Sequence, residues 1–156
     1  MSAESNHFVV DVASQRVQVL DATGRVLWQT EVSTSRYGLG EEEGSHRTPH
    51  GWHHVAEKIG VGQPLGTVFQ SRQPNGVIWA TDAPLSSDDL ILTRILWLTG
   101  DEPFNANTQQ RYIYFHGTNH ESRIGTPDSH GCIRLRNADM VTLFDYAEVG
   151  TRVLIQ

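Results

Sequence analysis

The chain has a single cysteine, Cys132, among its 156 residues. No intramolecular disulfide can form, so the fold must rest on its apolar core. A lone cysteine also fits a reducing compartment. No run approaches the ~18 apolar residues of a transmembrane helix, so no membrane association is expected. The start, Met1 to His7, is not cationic, and the first apolar cluster, Phe8-Val9-Val10, stops at Asp11. An ordinary signal peptide is therefore not expected, and a chain native from Met1 would be cytoplasmic. A leader removed ahead of this start would place it in the periplasm instead. No block of like charge occurs, and the formal net charge is −6. A broad basic face is thereby excluded, so nucleic acid is not an expected partner. Repeats, low-complexity tracts and glycine-rich nucleotide loops are also missing, and no cofactor is expected.

What is present describes an ordinary globular domain. Apolar residues make up 38 % and charged residues 19 % of the chain. The length suits one domain spanning 1–156, with its core from about residue 7. Phe8 to Val12, Arg16 to Leu20 and Arg25 to Val32 read as an antiparallel meander, turned at Asp21-Ala22-Thr23-Gly24. Residues 34–50 read as a loop and Gly51 to Val55 as a short strand. A hairpin is predicted over 67–81, with Gln73-Pro74-Asn75-Gly76 as its turn. The apolar run Leu90 to Leu98 suits a buried strand or a short helix, and periodicity does not choose between them. Arg111 to His116 reads as a strand, followed by a polar loop from Gly117 to His130. Asn137 is placed to cap a helix over 138–147, with Met140, Val141, Phe144 and Ala147 on one face. A last strand covers Thr151 to Ile155. The expected class is mainly β, a single sandwich-like or barrel-like domain with one clear helix near the C-terminus.

The chemistry concentrates in 114–136. His116 ends a strand, and Cys132 follows sixteen positions later, after a loop. Acyl transfer by sulfur needs a thiolate, and a neighbouring imidazole can generate one. His130 and Cys132 share a face if the segment is extended, and Gly131 between them permits a tight turn. The amides of Gly131 and Cys132 are candidates to receive a developing oxyanion. The bland alternative is a buried, inert thiol among hydrogen-bonded histidines.

Ser129-His130-Gly131-Cys132-Ile133-Arg134, preceded by His116-Gly117-Thr118 and Gly125, resembles the signature of YkuD-type L,D-transpeptidase catalytic domains. Val32-Ser33-Thr34-Ser35 resembles that family's V-S-T-G segment, with Ser35 where Gly is usual. Thr48-Pro49-His50-Gly51 resembles its T-P-x-G segment, and Asn137 through Val153 fits its C-terminal pattern. The resemblance implies a mainly β domain that attacks peptidoglycan stem tetrapeptides before the terminal D-alanine. It implies Cys132 as nucleophile, His116 as base, the Gly117 carbonyl as the orienting third group, and the Gly131 and Cys132 amides as oxyanion donors. His130 and Ser129 would shape the site. Arg134 is a candidate partner for a substrate carboxylate, or equally a structural pair with an acid such as Asp139. The resemblance also implies covalent inhibition by carbapenem-type β-lactams.

Water as acceptor would make the enzyme an L,D-carboxypeptidase of muropeptide recycling, as the expected location favours. The segment Leu92 to Leu98 resembles one found in short, leaderless members. An amine as acceptor would make it a transpeptidase forming 3–3 cross-links or exchanging D-amino acids. A non-catalytic muropeptide-binding module is the reading from another class, though binding does not need a thiol. Zinc is disfavoured: His46, His50, His53 and His54 surround Pro49 and Gly51, and no ligand spacing is recognisable. A phosphatase cradle needs an arginine six positions past the cysteine, where Ala138 stands.

Overall fold

The computed structural model describes residues 6–84 and 86–156; the first five residues and Leu85, including most of the segment read for an export signal, lie outside the described residues. Three strands open the chain as an antiparallel meander: β1 (His7–Asp11), β2 (Arg16–Leu20) and β3 (Val26–Glu31). Then come β4 (Gly51–Ile59), β5 (Thr67–Gln70), β6 (Gln73–Ile78) and β7 (Ile91–Gly100). The last elements are β8 (Tyr114–Gly117), β9 (Ile133–Leu135), α1 (Asn137–Tyr146) and β10 (Arg152–Ile155). Among the described residues, these ten strands join one sheet in the order β3-β2-β1-β10-β4-β7-β5-β6, with β8 on β7 and β9 on β8. The mainly β class with one C-terminal α-helix is as expected.

Period-two alternation sets the main core. Phe8 and Val10 of β1 and Val17 and Val19 of β2 are fully buried while their neighbours face outward. They meet Phe115, Ile133, Leu135, Met140, Leu143, Phe144 and Val153 in one cluster. Each such side chain contributes about 1.5–3 kcal/mol on burial. The helix buries Met140, Leu143, Phe144 and, just past its end, Ala147; Val141 is only half-buried.

The ambiguous run at 90–98 is strand β7, because it finds partners along both edges: β8 on one side, β4 and β5 on the other. Its burial does not alternate regularly, since the register shifts between Leu92 and Ile95. Thr93 sits at that shift with φ 77°, a strained value for a β-branched residue. Its hydroxyl donates to Asn137 Oδ1 at 2.6 Å and accepts from the Gly66 amide at 3.0 Å.

Three local expectations need correction. The hairpin turn is Ser71-Arg72, both at positive φ, and Gln73 to Gly76 belong to β6. Tertiary contact decides this: the Arg72 guanidinium lies over Trp97 at 5.0 Å and Tyr112 at 5.4 Å. The strand expected from Arg111 starts only at Tyr114, because Gln109–Arg111 is a 3-10 turn ended by left-handed Tyr112. Asn137 does not cap α1; Arg136 holds that position. The Asn137 amide instead donates to Glu121 Oε2 at 2.8 Å, which puts a carboxylate at the helix N-terminus.

Candidate active site

The short parallel pair of β8 and β9 builds the site. Phe115 aligns with Ile133, His116 with Arg134 and Gly117 with Leu135. Alternation sends Phe115, Ile133 and Leu135 into the main core beneath α1. His116 and Arg134 therefore occupy the opposite face. Cys132 and Tyr114, two residues earlier on each chain, extend that face, and Cys132 packs beside Tyr114 and Ile95 in a smaller cluster. The thiol and the imidazole thus share one face of adjacent strands, about 4.8 Å apart in the pairing direction.

Distant segments hold the loop before Cys132. The backbone of Ser33 exchanges two hydrogen bonds of 2.9 Å with Arg134. The Thr34 carbonyl accepts from the amides of Asp128 at 3.0 Å and Ser129 at 2.9 Å. Thr48 donates its hydroxyl to the Gly131 carbonyl at 3.0 Å and accepts from the Ser35 amide at 3.0 Å. Inside the loop, the Ser129 hydroxyl donates to the Cys132 carbonyl at 2.6 Å and accepts the Gly131 amide at 3.2 Å. This ring closes a tight turn with Gly131 at φ 124°, a backbone state that needs glycine. The Gly131 amide is consequently engaged, which corrects its expected role as a free oxyanion donor.

Cys132 is half-buried. Its sulfur lies 3.4 Å from the Tyr112 carbonyl and accepts the Tyr114 amide at 3.4 Å. His116 is 1 % exposed, and its Nδ1 lies 2.6 Å from the Gly117 carbonyl. A carbonyl can only accept, so Nδ1 carries the hydrogen and Nε2 keeps its lone pair. No described residue bonds Nε2. The Gly117 carbonyl therefore fixes the ring of His116, the candidate base. A side chain at Gly117 would collide with Asn137 Oδ1, so glycine is required there.

Burial governs both reactive groups. It pushes the Cys132 thiol up to about 12, against the Tyr114 amide and the Arg134 and Arg111 charges. It pushes His116 below the ordinary imidazole value, although Asp89 and the Gly117 carbonyl favour the cation. The resting pair is a neutral thiol beside a neutral imidazole. That differs from the thiolate expected of a cysteine close to histidine, and desolvation is the reason.

Arg134 is 1 % exposed and bonds Asp89 Oδ2 at 2.8 Å and Asp128 Oδ2 at 3.0 Å. It is a buried structural pair rather than a free carboxylate receptor. Asp139 is not its partner; that carboxylate accepts from Thr30 at 2.8 Å. Burial opposes ionisation of Asp89, but its charged neighbours, the buried Arg134 guanidinium among them, outweigh it and hold the carboxyl below its usual range. His130 is exposed, with Nδ1 3.8 Å from Asp89, and its ring packs against those of Tyr37 and His46.

This chain matches the family model of the YkuD L,D-transpeptidase catalytic domain over residues 5–155. The chain belongs to that family. Among curated relatives, YqjB of Bacillus subtilis (strain 168), named as an L,D-transpeptidase, is 49 % identical over 53 residues, 33 % of this chain and 30 % of its own length. YbiS of Escherichia coli K12, also so named, is 54 % identical over 43 residues, 28 % of this chain and 14 % of its own. An L,D-transpeptidase structure from Xylanimonas cellulosilytica superposes with a TM-score of 0.62 at 22 % identity, covering 99 % of this chain and 62 % of that one. LD transpeptidase LdtMt1 in complex with imipenem gives 0.60 at 21 %, covering 97 % and 59 %. The matched segments span a third or less of those curated relatives and about three fifths of the solved chains.

Within the YkuD frame, the departure at Ser35 has a local use. Its hydroxyl bonds the His46 carbonyl and accepts the Tyr37 amide at 3.0 Å, tying down the loop beside His130. Asp89 and Asp128 were absent from the sequence-based site. Asp128 stands four residues before Cys132 and was open to notice as an acid near a candidate nucleophile. Asp89 comes from the connection between β6 and β7, and nothing local marks it. Asn119 secures that connection, accepting the Leu90 amide at 3.1 Å and donating to the Asp88 carbonyl at 2.9 Å.

Proposed function

We propose that this YkuD-family domain is a cysteine-dependent L,D-carboxypeptidase that removes the terminal D-alanine from peptidoglycan tetrapeptides. The observation that carries the reading is the His116 tautomer: Nδ1 is pinned to Gly117 and Nε2 is free on the face shared with the lone thiol.

The Cys132 sulfur bonds to the scissile carbonyl carbon while its proton passes to His116 Nε2. Because the resting pair is neutral, proton transfer accompanies attack. The carbonyl electron pair moves onto oxygen, and the Cys132 amide is the candidate donor to it. Collapse breaks the C–N bond, His116 returns the proton to the leaving amine, and D-alanine departs. Water then adds to the thioester, giving its proton to Nε2, and the acid is released as the thiol re-forms. Ser129, His130 and Gly131 keep the nucleophile turn in shape.

Hydrolysis is favoured because a hydrophilic cavity that admits water is lined by His130 and Arg134, two residues to either side of Cys132. A role in recycling free muropeptides in the cytoplasm fits this activity. The relatives are named as L,D-transpeptidases, which favours transfer to an amine instead, so both are tested together. Purified disaccharide-tetrapeptide is incubated with the enzyme, with and without D-methionine, and products are weighed by mass spectrometry. Tripeptide plus D-alanine, unaffected by D-methionine, is expected; cross-linked dimers or D-methionine incorporation would replace hydrolysis with transfer. Cys132→Ala should abolish either reaction with the fold intact, and retained turnover would refute the mechanism. Solved relatives are described with imipenem and with a faropenem-derived adduct. Carbapenems should likewise acylate Cys132 here, giving a mass increase of one inhibitor that Cys132→Ala lacks.

A further inference from the structure

We infer that the polar cavity beside the nucleophile loop is a carboxylate-binding subsite for the acyl donor, with Arg36 and Arg123 as its specificity-determining side chains. This rests on the reading of Cys132 as a nucleophile toward a stem peptide, and it names the group by which that peptide is held.

The cavity measures about 520 Å³, and Arg36, Arg123, His130, Arg134, Asp89 and Asp128 supply its ionisable wall together with His120. It lies beside the turn that carries Cys132, since its wall includes His130 and Arg134, two residues to either side of that cysteine. Three guanidinium groups face two carboxylates, leaving one positive charge in excess within a chain of net charge −6. A single carboxylate neutralises that excess. A dianionic phosphate suits it poorly, because Asp89 and Asp128 share the wall.

Arg134 cannot supply the contact. It is buried, and both of its terminal nitrogens already hold aspartates. Arg36 and Arg123 differ: their side chains are 43 % and 64 % exposed. Arg36 donates Nε and Nη2 to the Asp128 carbonyl at 3.2 and 2.7 Å. Arg123 places Nη1 3.2 Å from Asp128 Oδ1. Among the described residues, no acceptor meets Arg36 Nη1 or Arg123 Nε and Nη2. Both guanidinium groups are thus anchored at one edge and open at the other. Anchoring lowers the side-chain entropy lost when a ligand is bound, and a planar fork matches a carboxylate. The remaining wall, from Ser86, Ser87, Asn119 and Ser122, is hydroxyl and amide.

Two carboxylates of a stem peptide have the required chemistry: the terminal one of the D-residue, and a side-chain one on a diamino-dicarboxylic third residue. The test uses three synthetic tetrapeptides: the parent with both groups, its C-terminal amide, and an analogue with lysine at the third position. Arg36→Gln and Arg123→Gln should each raise KM for the parent roughly tenfold, with kcat within about threefold. The penalty should vanish for the peptide that lacks the bound group. Loss of the penalty with the amide identifies the terminal carboxylate; loss with the lysine peptide identifies the side chain. Unchanged KM in both variants, or equal penalties on all three peptides, would overturn the subsite. Calorimetric titration of the same peptides into Cys132→Ala separates the two readings. Carboxylate-dependent binding that is weakened by Arg36→Gln and Arg123→Gln, alongside a wild type that turns nothing over, would keep the subsite and remove the proposed reaction.

Discussion

Burial, more than proximity, sets how Cys132 and His116 behave. A thiol pushed up to about 12 should alkylate with iodoacetamide far more slowly than free cysteine at pH 7, and speed up only in strong alkali. Fast alkylation at neutral pH would mean that a thiolate–imidazolium pair forms after all. The base must be neutral to accept a proton, so activity should be present above the His116 value and fall as pH drops through it. Since burial lowers that value, the acid limb of kcat/KM should lie below the ordinary imidazole range. Asp89 favours the His116 cation, while Arg134, the other charge facing it, disfavours the cation. Asp89→Asn should therefore move the acid limb further down in pH and reduce the plateau rate; an unmoved limb would assign Asp89 to packing with Arg134 alone. His116→Ala should cost far more than His120→Ala, whose ring bonds only the Ser86 carbonyl at 2.7 Å in the described structure. The sequence brought Cys132, His116 and Gly117 forward as candidates, and the fold sets Cys132 and His116 on one face of neighbouring strands, but the protonation of the thiol depends on a burial that the sequence does not give.

Among the elements, the turn from Ser129 to Cys132 and the end of β8 transmit packing to the site. Ser129→Ala removes a buried hydroxyl that both accepts and donates within the turn. A loss of about 1–3 kcal/mol is expected in denaturant unfolding, with a larger fractional loss in kcat than in KM. Gly117→Ala drives a methyl group into Asn137, which bonds Thr93 and the Thr118 carbonyl. It should lower both the melting temperature and kcat, whereas Gly24→Ala, with open space around it, should leave kcat unchanged. Regular alternation made β1 and β2 legible from sequence, because each buries one face. The β5–β6 turn was not, because stacking of Arg72 on Trp97 and Tyr112 outweighs the local Pro-Asn-Gly preference. Asn137 looked like a cap for the same reason that it is useful elsewhere: its amide satisfies a buried network joining β7, β8 and α1.

At the scale of the whole molecule, stability should depend on pH through groups the fold buries. His116 and His53 both lie below the ordinary imidazole value, with burial as the main cause in each. The unfolded chain then binds protons more readily, so stability is complete above about pH 6.5 and declines as pH falls toward the folded values. Asp89, held below the carboxyl range, adds a second loss below about pH 4. Thermal unfolding at pH 7.5, 5.5 and 3.5 should show a midpoint that falls at each step; a flat profile from 7.5 to 5.5 would contradict the burial of these histidines as neutral groups.

Sequence alone determined the chemistry-bearing segment and its order. One thiol, a histidine sixteen residues earlier and glycines beside each are local facts, and the alternating strands and amphipathic helix follow from period and burial. Tertiary structure decided everything that depends on partners far along the chain. It brought Ser33, Thr34 and Thr48 under the nucleophile turn, and it buried Arg134 between Asp89 and Asp128. It also left Arg36 and Arg123 open at the cavity. The physical reason is that ionisation state and ion pairing depend on desolvation and on neighbours in space, neither of which a residue's position in the chain encodes.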